Sequence, residues 1–354
     1  FIMASFLAVP YAEIALAAAI PAVLYYMGIF LQVDAHAAKT KLMGLKREEL
    51  PEIKTTLKEG WPFIFAIAFL IYLLAIMKNE AQAPFTASAA MVLIAAIRKK
   101  DRLKKESLKK IFLDAGKTIA EIFGIIAGVG LVVGGLSISG VSLSFSSELV
   151  RVAGGNSLLI LIAGAFTSFI LGMGMTVSAV YVFLAIVMAP ALVQQGFNPI
   201  AAHLFVIYWA TVSYVTPPVA LASYAASGIA KADPVKTSFV AMRLGVVAFI
   251  VPFMYVYNPA LVGQGPIGEI ISTFISASIG VFFLAAGFEG WLLGIGRIPK
   301  ISSIILIPAG LLLMTPGTMT DLMGIALGAI VILYHIYRKR KIKIKIDIPE
   351  SING

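Results

Sequence analysis

Apolar positions along the chain come in long blocks, with no strand-like alternation. Blocks at 12–33, 61–77, 81–97, 113–137, 237–258, 267–287, 300–314 and 321–337 hold almost no charge. About 20 mostly apolar residues carry a helix across a bilayer, so each block predicts a membrane helix, those near 90 and 307 being short. Polar residues collect in the joints between blocks. The pattern predicts an all-α polytopic membrane protein.

Composition agrees. Of 354 residues, 60% are hydrophobic and 13% charged, with mean hydropathy +0.95. Soluble chains carry about 45–50% apolar and about 25% charged residues. The formal net charge of +10 comes from 28 Lys+Arg against 18 Asp+Glu, and its distribution decides its meaning. If 155–195 goes in and back and 200–230 crosses once, 26 of the 28 basic residues fall on one side, leaving only Lys78 and Arg151 opposite. That side is expected to be cytoplasmic, and the charge reports topology, with no nucleic-acid partner. The absence of Cys excludes disulfides, iron–sulfur clusters and thiolate zinc. His36, His203 and His335 lie far apart and make a poor metal site. The chain opens in Phe-Ile-Met-Ala-Ser-Phe with no basic region before it, so it reads as the interior of a longer polypeptide and not as a signal peptide.

From 152 to 230 the chain contains no Asp, Glu, Lys or Arg. Two interruptions sit inside this stretch. The first, Leu171-Gly172-Met173-Gly174-Met175-Thr176-Val177-Ser178, is flanked by apolar runs of about half to most of a crossing at 1.5 Å per residue. Glycines and hydroxyls allow a tight turn there, so 155–195 reads as a re-entrant helical hairpin. The second is Ser213-Tyr214-Val215-Thr216-Pro217-Pro218-Val219, where two prolines should unwind the helix over 200–230. Irregular backbone at membrane depth survives only where it is buried or lines a cavity, and paired breaks of this kind point to a transporter binding site. With no side-chain charge, a bound cation would be held by carbonyls and hydroxyls, which suits sodium better than a transition metal. Candidate sodium ligands are Gly172, Gly174, Met175, Ser213, Val215, Thr216 and Pro217. Thr176, Ser178 and Pro218 are candidates for an anionic substrate. The plain alternative for each break is a structural kink.

Other polar residues carry less. Glu13, Asp114, Lys117 and Glu121 lie near span ends and read as interfacial. Arg243 reads as a snorkelling arginine, with countering an anion as its functional alternative. His203 reads as a packed or hydrogen-bonded helix histidine, Met173 and Met175 as packing, and Asn258 as a span end. The basic run at 98–110 suits either an interfacial amphipathic helix that acts as lever arm or anionic-lipid anchor, or a solvated loop. Segments 1–34 and 224–258 share a layout of small residues, a proline (Pro10, Pro234) and about 20 apolar residues ending at Asp34 or Asn258. The topology makes them inverted repeats. The expected organisation is therefore the end of a first repeat (1–33), a cytoplasmic loop, helix pair and amphipathic arm (34–117), a second repeat (118–258), and extra helices with a basic tail (259–354).

Several stretches together resemble the fused membrane subunit of tripartite ATP-independent periplasmic (TRAP) transporters, in the type paired with TAXI solute receptors. They are FIMASFLAVPYAEIALAAAIPAVLYY, LKREELP…LKEGW, LILIAGAFTSFILGMGM, TPPVALASYAASGIAKADPVKTSF and VPFMYVYNPAL. The resemblance implies a large, DctM-like subunit whose first hairpin, first Pro-Pro motif and small subunit would lie ahead of Phe1. It also implies an elevator-type inverted-repeat architecture and sodium-coupled uptake of small organic anions delivered by a periplasmic TAXI receptor. By position, residues 172–178 and 213–218 would form the second-repeat sodium and substrate site. The Gly-Met-Gly-Met tip is usually followed by Pro-Thr-Thr; here Thr176-Val177-Ser178 stands instead.

The expected place is a prokaryotic inner membrane. No cofactor is expected beyond sodium as coupling ion, and contact with membrane lipid follows from the spans. An ion or solute channel is the competing class. An intramembrane lipid-modifying enzyme is disfavoured, because it would need acid, base or metal groups at membrane depth.

Overall fold

The computed structural model describes residues 1–77, 82–98, 104–140, 147–148 and 150–346. Its helices are α1 (Ile2–Leu7), α2 (Tyr11–Thr40), α3 (Ile53–Ile71), α4 (Ala83–Ile97), α5 (Lys105–Ile138), α6 (Ser157–Gly172), α7 (Val177–Val187), α8 (Ala189–Gln194), α9 (Pro199–Val212), α10 (Leu221–Ala230), α11 (Pro234–Leu244), α12 (Val247–Tyr257), α13 (Ile267–Glu289), α14 (Lys300–Leu312) and α15 (Thr318–Ile346). A minimal antiparallel pair, β1 (Trp291–Leu292) with β2 (Gly296–Arg297), joins α13 to α14. The protein is an all-α polytopic membrane protein. Among the described residues, Tyr11–Thr40, Arg47–Ile76, Pro234–Tyr257, Ile267–Glu289 and Thr318–Arg338 are long and apolar enough to cross a bilayer.

The chain forms two compact units, Phe1–Ala15 with Gly44–Phe145, and Leu16–Met43 with Ser146–Gly354. In the first, α3 and α4 pack as a hairpin, α3 running on into a π-turn at Tyr72–Ile76. Arg98 donates to the Glu59 carbonyl at 3.2 Å across their open end. The basic run does not form a helix of its own from residue 105 onward: Lys105 already belongs to the 34-residue α5. At about 1.5 Å per residue, α5 is about 51 Å long, well beyond the hydrocarbon thickness of about 30 Å. Residues 99–103 of that run, Lys78, and the tail beyond 346 lie outside the described residues.

The second unit is organised around α9. Ile200, Ala201, Ala202, His203, Leu204, Phe205, Val206, Ala210 and Val212 are all buried, so most of α9 is covered, as suits a largely apolar helix. Helices α6, α7 and α12 pack on it. Against α12, Trp209 meets the Phe249 and Phe253 rings edge-on at 5.8 and 5.7 Å, and Tyr208 meets Tyr255 at 5.7 Å. The span expected over 237–258 is present as Pro234–Tyr257, with a local irregularity at Gly245 between α11 and α12. There Val246, Ala248 and Phe249 bond three residues back, and α12 restarts with Val247 against Gly28 of α2. A Cβ at position 28 would lie 2.6 Å from the Val247 side chain.

Local signals set each end of the site-bearing helices. Asn156 caps α6 and Asn198 caps α9, each accepting two backbone N–H bonds; Pro199 follows Asn198 as the first helical residue. The αL residues Ala8 and Lys231 close α1 and α10, each a few residues before a proline and a long apolar helix.

If Asn198 sets the start of α9, Asn198→Ala lowers stability by about 1 kcal/mol. Asn198→Ser retains an acceptor and stays within about 0.5 kcal/mol of the parent. Thermal unfolding of the two variants in detergent measures the difference.

Candidate functional site

The hairpin and the broken helix both form. At about 1.5 Å per residue, α6 is about 24 Å long, α9 about 21 Å and α10 about 15 Å, so none crosses the apolar core of about 30 Å alone. Helix α6 stops at Gly172. The turn is closed by Met173 N–H to Ile170 O at 3.1 Å, and by the Gly174 and Met175 N–H groups to Leu171 O, each at 3.0 Å. Thr176 then caps α7, its hydroxyl oxygen accepting from Ala179 N–H at 3.3 Å. The returning leg breaks again at Met188, whose side chain fills the space a Cβ would take at Gly164 of the outgoing leg.

Helix α9 ends at Val212 and α10 begins at Leu221. The segment between is tied to itself. Ala220 N–H reaches the Ser213 and Thr216 carbonyls at 3.2 and 3.1 Å, and Ala222 N–H reaches Tyr214 O at 2.9 Å. The Ser223 hydroxyl donates to Val215 O at 3.3 Å and the Tyr224 hydroxyl to Pro218 O at 2.8 Å. The Pro217-Pro218 peptide is cis and Ala220 is left-handed.

The two breaks meet through one contact. A Cβ at Gly172 would lie 2.8 Å from the Ala210 carbonyl oxygen and 3.0 Å from Ser213 Oγ. The C-terminal ends of α6 and α9 therefore abut, and only glycine fits between them. Helix C-termini carry the negative end of the dipole and unpaired carbonyls. Two of them converging in an uncharged stretch make an environment suited to a cation. Ser213 and Thr216 are buried. Their hydroxyl protons go to Ala210 O at 2.8 Å and Val212 O at 2.9 Å, which leaves the oxygen lone pairs able to act as acceptors or ligands.

Of the residues expected at this site, Gly172 and Ser213 touch. Thr216 is buried in the same break, with Val215 and Pro217 half-buried beside it. Gly174, Met175, Thr176 and Ser178 are exposed along the tip, as is Pro218 in the break. Sequence reasoning missed Ala210, whose carbonyl closes against Gly172; His203, expected to be packed or hydrogen-bonded, is buried with its Nδ1 2.8 Å from the Tyr181 hydroxyl between α7 and α9. A spacing of one turn before the Pro-Pro break marks Ala210; nothing local marks the Tyr181–His203 pair. Arg243 faces neither break. Its Nε lies 3.4 Å from a Glu289 carboxylate oxygen, and its side chain stays partly exposed. An open hollow of about 590 Å³ bounded by Glu52, Thr55, Glu59 and Phe63 lies in the first unit, with no residue of either break on its wall. Among the described residues no three His, Cys, Asp or Glu side chains converge on a metal site.

A re-entrant hairpin packed against a broken helix, in a polytopic all-α chain, defines a membrane permease. The particular family follows from comparison: residues 1–270 match the family model of the tripartite ATP-independent periplasmic transporter DctM component, and the chain belongs to that family. It is thus a permease subunit of a TRAP transporter, a multi-pass protein of the prokaryotic inner membrane that works with a periplasmic solute-binding protein. The family is one of transporters, not enzymes. Searches of characterised proteins and of solved structures gave no match.

The abutting helix ends make the two tip glycines unequal. Gly172→Ala must displace the Ala210 carbonyl and costs about 1–3 kcal/mol. Gly174, with nothing within 4 Å of the position a Cβ would take, accepts Ala within about 0.5 kcal/mol. Equal melting temperatures for the two variants would contradict the contact.

Proposed function

We propose that this permease is sodium-coupled and imports small organic anions, carboxylates, handed over by a periplasmic receptor of the TAXI type. The observation that carries the reading is the meeting of two helix C-termini at Gly172 and Ser213 within a stretch, 152–230, that holds no charged side chain. A cation seated there has only carbonyl and hydroxyl oxygens to bind, and the Ser213 and Thr216 hydroxyls, donating to Ala210 O and Val212 O, keep their lone pairs for it. Gly172, Gly174, Met175, Ser213, Val215, Thr216 and Pro217 are the proposed sodium shell. Thr176, Ser178 and Pro218 are proposed to meet the anion, since the N-termini of α7 and α10 present N–H groups and the positive dipole end. Transport would follow by an elevator-like movement of the body that carries the two breaks. The loops at 34–60, 231–243 and 288–300 are proposed to be cytoplasmic, a reading supported by their meeting around Glu289.

The test is uptake into liposomes by the permease with its receptor and its complete set of transporter subunits. A sodium gradient is expected to drive uptake, and receptor removal to abolish it. Uptake that persists under a proton gradient without sodium would overturn the coupling. Uptake without the receptor, at a rate that does not saturate, would favour a channel. Thr216→Ala is expected to raise the half-saturating sodium concentration about tenfold, about 1.4 kcal/mol, with little change in melting temperature. Loss of stability at unchanged sodium dependence would instead mark the Pro-Pro segment as a plain kink.

A further inference from the structure

Beyond residue 270, where the family match ends, the chain continues into a tightly packed bundle of α13, α14 and α15. Gly280 and Gly310 bring α13 and α14 so close that a Cβ on either would lie 2.6 Å from the other's carbonyl oxygen. Gly324 and Gly328 let α15 approach in the same way, against Leu313 and Phe283. The last residue of α13 is Glu289, whose side chain is 0% exposed. A carboxylate at this position faces the negative end of its own helix dipole. Its two oxygens have no hydrogen-bond donor among the described residues. Buried charge of this kind persists only when it is paired.

The pairing comes from the family-matched helices. Arg243 Nε of α11 lies 3.4 Å from one carboxylate oxygen, and His36 Nδ1 and Lys39 Nζ of α2 lie 3.6 and 3.9 Å from the other. Lys39 also donates to the Glu289 carbonyl at 2.8 Å, which caps α13. Arg243 Nη2 lies 3.2 Å from His36 Nδ1. A small hollow lies between Asp34 and Ala35 of α2 on one side and Phe282, Ala286 and Leu293 on the other. The same helices lead to the breaks: α2 packs on α12 through Gly28 and Val247, and α12 packs on α9. The turn that leads from α12 toward α13 is buried at Ala260, Leu261 and Val262.

We infer that the C-terminal bundle is an integral part of the body that carries the hairpin and the broken helix. Glu289, seated among Arg243, His36 and Lys39, latches it there, and the bundle moves with that body during transport. Sliding α13 along α2 or α11 would leave a buried carboxylate without its cations, which is strongly unfavourable. The interface is therefore a fixed joint. The claim of movement rests on the transport reading; the latch does not.

The chain has no native Cys, so introduced thiols are the only ones in it. Asp34→Cys with Leu293→Cys places one thiol on each side of the hollow and leaves the charge cluster intact. Joined by a short cleavable bis-maleimide in liposomes, the pair is expected to show unchanged uptake. Loss of uptake that returns on cleaving the linker would overturn the inference. If the unlinked protein shows no uptake, the transport reading fails, and the latch is judged by stability alone. Glu289→Gln and Arg243→Gln are each expected to lower the melting temperature by several degrees, and the double variant little further, because the two residues act on one interaction. A Glu289→Gln protein as stable as the parent, or fully additive losses, would overturn the latch.

Discussion

The constraint on which the proposed site depends is the absence of a side chain at position 172. The end of α6 reaches the end of α9 only because the Ala210 carbonyl and the Ser213 hydroxyl occupy the space a Cβ would need. That contact fixes where the hairpin turns and how deeply its tip sits along α9. It also sets which carbonyls and hydroxyls share one neighbourhood. The burial of most of α9 and the hydrogen-bonded loop from Ser213 to Ala222 hold the partner surface still. Backbone freed from helix at membrane depth must be satisfied by protein, and here each break largely satisfies itself while leaving oxygen lone pairs able to act as ligands.

The same physics explains why charge is absent from one part of the molecule and concentrated in another. Between 152 and 230 no carboxylate or ammonium competes for a ligand, so the dipoles of paired helix ends dominate. At the joint between the family-matched helices and the C-terminal bundle the balance is reversed. There a single buried carboxylate is tolerable because three basic side chains from two other helices converge on it. Two regions of one membrane protein thus use opposite means, backbone polarity for the proposed site and side-chain charge for fastening.

Much of this was legible in the chain. The apolar blocks correspond to helices throughout, because membrane length and apolar composition are read directly from sequence. Both breaks fall where glycine and proline make a helix untenable. What could not be read is equally specific. The α11–α12 break at Gly245 looked like an ordinary span, because one glycine inside an apolar block does not announce a kink. The continuation of the basic run from Lys105 into α5 reflects helix propagation, which charge pattern does not oppose. Gly172 read as a turn residue and candidate sodium ligand; its close approach to a helix distant in sequence had no local signal. The pairing of Lys39 with Glu289 joins positions 250 residues apart, and no local pattern records such a contact.

The central claim is that a sodium ion occupies the junction of the hairpin tip and the broken helix. The most direct measurement uses the absence of native Cys: Ser178→Cys puts a single thiol at the exposed tip, and its rate of modification by a water-soluble maleimide is followed in liposomes. Sodium, compared with choline at equal ionic strength, is predicted to change that rate, with the half-maximal effect at the sodium concentration that half-saturates uptake. Identical rates in sodium and choline across the range that drives uptake would contradict the account.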